Sequence, residues 1–195
     1  MPEANKVHFG LKNVHYAKIT YTDGVPTWGT PVAVPGAVSL TLSKNSASTD
    51  FYADNIKYFH LMSNNGYTGS IEMADFPVQM LQDIWNYGIT GTGKMLTEKA
   101  GQQAEEFALM FEVDGDQAPN RYCLYRCSAD RPDINANTVG ESVEVQTQTA
   151  DLTVMPVSDP TDGSIINNMV RYSTTEDTPA AKYSAFFDAV DTTLT

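Results

Sequence analysis

The chain has 195 residues, 42% hydrophobic and 10% aromatic, which predicts one globular domain burying roughly 70% of the surface its extended form exposes. Twelve basic against twenty-four acidic residues leave a net charge of −12, which excludes a phosphate-neutralising stripe and, with it, direct affinity for nucleic acid. No run of eighteen apolar residues occurs, so no membrane partner is expected, and "MPEANKVHFG" lacks an apolar signal core and reads as a mature cytosolic start.

"NVHYAKITYTDGVPTWGTPV" predicts two strands joined at Asp23-Gly24, a strong hairpin signal. "AVSLTLS" alternates, with Val38, Leu40 and Leu42 on one face and Ser39 and Thr41 on the other. From Ser43 to Tyr58 the sequence loses any period and reads as a polar loop or arm, residues 43–58. "LMSNNGYTGSIEMADFP" reads as a strand, an Asn-Gly turn, a second strand with Ile71 and Met73 inward, and the start of a helix. Asp75 is the expected N-cap of "FPVQMLQDIWNYG", with Pro77 in its first turn, Gly88 past its end, and Val78, Leu81, Ile84 and Trp85 as its apolar stripe. "FALMFEV" places Phe107, Leu109, Phe111 and Val113 inward, and Asp114-Gly115 turns the chain into "RYCLYRCSA".

In that strand Cys123 and Cys127 share parity. They are expected on one face, with Cα atoms about 13 Å apart, too far for a disulfide. Farther on, Val143 and Val145 are odd while Leu152 and Val154 are even, so the inward face switches between Gln146 and Asp151, through a bulge or a change of sheet. The polar "QTQTA" between them is either a solvated edge or one that pairs with a neighbouring chain. In residues 156–195, a C-terminal extension, Thr178 and Pro179 open a helix with Tyr183, Phe186, Phe187 and Val190 on one face. The predicted fold is mainly β: two packed antiparallel sheets, as a sandwich or small barrel, with one flanking helix and a short C-terminal one.

Candidate chemistry is sparse. "GITGTGKM" matches part of a phosphate-binding loop, but a helix precedes it and Met95 stands where Ser or Thr should hold magnesium. His8, His15 and His60 lie on predicted strands with no nucleophile or carboxylate at a suggestive spacing. The acidic pairs in "EVDGDQ" and "ADN" lack calcium-loop spacing and read as turns. Glu72 with Asp75 makes a poor glycosidase pair, since Asp75 better explains a helix cap. Trp28 reads as a core or interface residue rather than a sugar platform. These residues support neither an enzyme nor a cofactor or metal.

The series "FGLKNVHYAKIT", "GTPVAVPGAVSL", "FYADNI", "NNGYTGSIEMADFP", "FALMFEVDGDQ" and "YRCSADRP" resembles, in order, the major tail proteins of long, non-contractile-tailed bacteriophages of Gram-positive bacteria. The resemblance runs from about Phe9 to Pro132, weaker through "GESVEVQTQTADLTV" and the C-terminal helix. It implies a single tail-tube domain, made in the host cytoplasm and built into the virion tail. Its partners would be itself, in stacked rings usually of six, together with tape-measure, tail-terminator and distal tail proteins. DNA would pass through without specific binding. The family brings no catalytic residues. On this reading the 43–58 excursion, with Asp50, Tyr52, Asp54 and Asn55, is the candidate inter-ring element. Strand parity nominates Glu72 and Glu112 as lumen-facing acids. The competing expectation is a β-sandwich carbohydrate- or receptor-binding module of a phage tail, which should expose aromatics beside Asp or Asn.

Overall fold

The computed structural model describes residues 5–138 and 145–194. In chain order its elements are β1 (His8–Thr22), β2 (Val25–Trp28), β3 (Val32–Ala33), β4 (Ala37–Ala53), β5 (Ile56–Met73), α1 (Val78–Trp85), β6 (Gly88–Thr90), β7 (Met95–Thr97), β8 (Phe107–Gly115), β9 (Asn120–Ala129), β10 (Gln148–Met155), β11 (Arg171–Ser173) and α2 (Ala180–Ser184). The fold is mainly β, as expected. One large antiparallel sheet runs β2-β1-β8-β9-β10-β5-β4, with β3 also on β1 and β11 also on β9, and β6-β7 forms a separate hairpin. The large sheet curls until its margins approach. The Val34 amide donates to the Val14 carbonyl at 2.7 Å, and β4 begins three residues later. The two predicted layers are therefore parts of one bent sheet.

Its concave side encloses Val14, Tyr16, Ile71, Met73, Phe107, Leu109, Leu124, Leu152 and Val154. One end of this barrel is plugged by α1, where β5 and β9 finish and β8 and β10 start. Met80, Ile84 and Trp85 enter the core there, and the Trp85 indole donates to the carbonyls of Ala129 and Asp130 at 3.1 and 2.9 Å. The helix differs from expectation at both ends. It has no side-chain cap: Pro77 is the N-cap, and Phe76, which precedes it, donates its amide to Gln148 Oε1. At the other end Asn86, at φ 58°, turns the chain left-handed, so Gly88 is free to enter β6. The start at Val78 rotates the stripe, leaving Val78 49% exposed and burying Met80 instead.

The convex side carries a second core. Ala17, Ala108, Met110, Cys123 and Tyr125 are covered there by Val157, Ile166, Phe186 and Val190 of the C-terminal segment. The central strands are thus buried on both faces. Cys127, by contrast, lies in the concave core, so the two thiols do not share a face. The cause is a bulge: Phe107 and Leu109 of β8 face Cys127 and Leu124 of β9, two residues apart against three, and the extra residue inverts parity. The expected face switch at 146–151 is absent, because the strand begins only at Gln148, with Val145 81% exposed before it. Val143 lies outside the described residues. Of "QTQTA", residues 148–150 pair with β5 on one side, while on the other β9 joins β10 only from Leu152 and the Asp133 amide donates to the Thr149 carbonyl at 2.9 Å. The terminal helix stops at Ser184, yet Phe186 and Val190 reach the core from the turns that follow it.

Candidate assembly surface

The margins of the sheet are unequally finished. Along β9, the edge that β10 leaves at Arg126 is taken over by β11, with Arg171, Tyr172 and Ser173 opposite Leu124, Cys123 and Tyr122. Along β1, residues 19–22 are paired by β2 across the expected two-residue turn, Asp23 (φ 52°) and Gly24 (φ 82°). β4 is different. It is a terminal strand whose partner among the described residues is β5 alone, over 17 residues. A strand of that length with one unpaired edge is a template for another chain.

The polar excursion is the far half of this pair. Residues 46–53 and 56–64 form a two-stranded ribbon running beyond Val154↔Tyr67, the last pair between β10 and β5. Its eight residues from Ser46 to Ala53 project roughly 25 Å at a strand's rise. The predicted Asn65-Gly66 turn does not form. Gly66, at φ 91°, instead serves a bulge in a continuous strand, its amide donating to Asn64 Oδ1 at 3.1 Å. A Cβ on Gly66 would lie 1.9 Å from the Val154 carbonyl oxygen, so β10 requires glycine there. The reversal lies at Asp54-Asn55, φ 54° and 62°, where short polar side chains tolerate the left-handed region.

Side-chain direction along this ribbon is inverted relative to the barrel. On β4 no residue is inserted between Ser39 and Ala53, so even-numbered side chains share one side throughout. In the barrel that side carries Leu40 and Leu42 against the core; in the ribbon it carries Ser46, Ser48, Asp50 and Tyr52, opposite Asn64, Met62, His60 and Lys57. The other side is polar in the barrel, at Ser39 and Thr41, and apolar in the ribbon. There Phe51 faces Phe59, Thr49 faces Leu61 and Ala53 faces Ile56. Phe51, Phe59, Leu61 and Ile56 are all between 56% and 61% exposed. This ribbon cannot extend its own barrel's core, and its apolar face is turned outward.

Among the predicted site residues, Asp50 lies on the polar side, where Lys57 Nζ at 2.7 Å and the His60 ring hold its carboxyl below the usual range. Tyr52 is 62% exposed on the same side, and Asp54 and Asn55 are the turn. Glu72 and Glu112 both point to the convex side but are not equivalent. Glu72 accepts from Thr147 at 2.7 Å and Ser39 at 2.9 Å, which lowers its pKa. Glu112 is 3% exposed, held by Arg121 at 2.6 Å and Lys12 at 3.2 Å. Its carboxylate is spent inside the fold rather than offered to a channel.

"GITGTGKM" is the turn of the β6-β7 hairpin, with a strand rather than a helix after the lysine. Asp116 accepts from the Lys6 and Val7 amides, a turn role. The Trp28 indole donates to the Tyr125 carbonyl and packs at the edge of the convex core. Among the described residues no three His, Cys, Asp or Glu side chains gather where they could hold a metal ion, and no helix is long and apolar enough to cross a membrane. The sequence signal that the ribbon offered was its pairs Phe51-Tyr52 and Tyr58-Phe59; Phe51 and Tyr52 point to opposite sides and Tyr58 is the inserted residue of a bulge across from them, so no period shows. Set against known proteins, the chain matches no family model and no curated sequence significantly.

Proposed function

We propose that this chain is a structural subunit that assembles with copies of itself into stacked rings, the tail tube of a long-tailed bacteriophage through which DNA is ejected. The observation that carries the reading is that, among the described residues, the 17-residue strand β4 has one unpaired edge and continues into a ribbon whose apolar face has no cover. Solitary proteins blunt such edges. Here the edge is long and the projecting face is apolar, which is what β-augmentation by a neighbouring copy requires. The ordered sequence resemblance from Phe9 to Pro132 supports the same reading. Rings would stack around a tape-measure protein, and the −12 charge of each copy would leave passing DNA without a cationic trap. Electron microscopy of the concentrated protein tests this: tubes or rings are expected, and a monodisperse monomer at every concentration would overturn it.

A second reading has one observation in its favour. Tyr52 and Tyr58, 62% and 70% exposed, stand at the ribbon tip beside Asp54 and Asn55, a combination that stacks on and hydrogen-bonds sugars. Binding on a glycan array that is lost on Tyr58→Ala, with no polymer, would select that carbohydrate-binding module instead.

A further inference from the structure

The outward face of the ribbon needs an occupant, and the molecule offers one at its other end. The ribbon leaves the barrel beyond the Val154↔Tyr67 pair, whereas α1 plugs the opposite end, at Met73, Ala129 and Gln148. Directly after α1 comes the β6-β7 hairpin, where Ile89 is paired with Leu96. Paired residues share a face, and these two are 48% and 41% exposed, with Met95 on the reverse side 71% exposed. After the ribbon, this is the largest group of exposed apolar side chains contiguous in one element among the described residues.

Charge permits contact between the same two elements. Residues 43–62 hold two lysines, Lys44 and Lys57, against two aspartates, Asp50 and Asp54, and residues 86–97 hold Lys94 alone. In a chain of net charge −12, these are stretches where two copies can meet without like-charge repulsion. An apolar sheet face and an apolar hairpin at opposite ends of one molecule are complementary between copies, not within one. Contact between them is head-to-tail and repeats.

We propose that the apolar face of one copy's ribbon, Phe51, Phe59 and Leu61, docks on the Ile89–Leu96 face of the β6-β7 hairpin of a second copy. This rests on the self-assembly reading above and names its acceptor. The docked ribbon covers the exposed rings and keeps Asp50, Lys57 and His60 facing water.

Paired cysteines test the contact, because the native Cys123 and Cys127 are fully buried and leave the background clean. The double variant Phe59→Cys/Leu96→Cys, oxidised under polymerising conditions, should give a ladder of covalent oligomers on a non-reducing gel. Either single variant should run as the monomer. Tubes by electron microscopy with no ladder would overturn the inference while leaving self-assembly standing. Dimers from Phe59→Cys alone would assign ribbon to ribbon and overturn it equally. A parent chain that never polymerises would overturn both. Flotation of the parent chain with phosphatidylglycerol vesicles, abolished by Phe59→Asp, would assign the face to lipid and also overturn it.

Discussion

At Gly69 a Cβ would lie 1.8 Å from the Thr41 carbonyl oxygen, backbone that cannot swing aside. The residue pairs with Leu42 on one side and Leu152 on the other, so the strain has no free edge into which to relax. Gly69→Ala is expected to cost about 3 kcal/mol or more, in the class of severe core lesions. At Gly101, φ 82° and open space, alanine should cost about 1 kcal/mol, the left-handed backbone penalty alone. Urea unfolding of the two variants measures the contrast. Arg121 is the other residue with wide reach. It bonds Glu112 Oε2 and the Tyr183 carbonyl while its guanidinium lies 3.9 Å over the Tyr183 ring, tying β8 and β9 to α2. Arg121→Ala leaves a buried carboxylate with Lys12 and the Asn13 amide beside it, which should cost about 3 kcal/mol, with Arg121→Lys recovering part. None of this was legible in "RYCLYRCSA", where the bulge that splits Cys123 from Cys127 leaves no mark on the alternation. Burial pushes both thiols up, so maleimide labelling at pH 8 should report unfolding rather than native exposure.

Elements differ in how much support they have. β8 and β9 lie between two cores, while the ribbon rests on one pairing and water. Amide exchange in the isolated chain should therefore be orders of magnitude faster at 46–53 and 56–64 than at 107–111, and should slow in the assembled form. The C-terminal segment is fastened differently, by carboxylates. Burial works against the charge of Asp191, but Lys182 at 2.7 Å and the amides of Thr193 and Leu194 prevail and hold its pKa below the usual range. At Glu106 burial is likewise outweighed by Arg126 and Tyr21. A depressed carboxyl stabilises above its unfolded value near 4 and loses that contribution as pH falls through the folded one. Thermal unfolding should show an unchanged midpoint from pH 7 to 5 and a decline below pH 4, with Asp191→Asn flattening part of it. Periodicity placed these elements well where one face meets a core, as at Ile71 and Met73. It erred where capping was decided from afar: the chain enters α1 through the Phe76–Gln148 bond, invisible from Asp75.

For the whole molecule, the proposed assembly would set apolar contact against the mutual repulsion of copies carrying −12 each. Counterions screen such charges over about 8 Å at physiological salt. On the proposed function, light scattering should show tube growth slowing at low ionic strength and recovering as sodium chloride is added; a rate indifferent to salt would remove electrostatics as the barrier. The same charge disfavours uncontrolled clustering of the exposed ribbon.

Composition and alternation by themselves determined the class of this protein: a mainly antiparallel β-fold, its Asp23-Gly24 hairpin, the inward residues of β8 and one flanking helix. Each of these is local, written in the spacing of neighbours along the chain. Only the tertiary structure decided the path of the sheet, the bulges that reverse a strand's faces, and which margin stays unpaired. Those depend on partners far away in sequence, such as Val154 against Gly66 or β11 against β9. The ribbon lies at that boundary. Its residues read as a loop because their apolar side is the opposite of the barrel's, and a period can be recognised only once the face it should match is known.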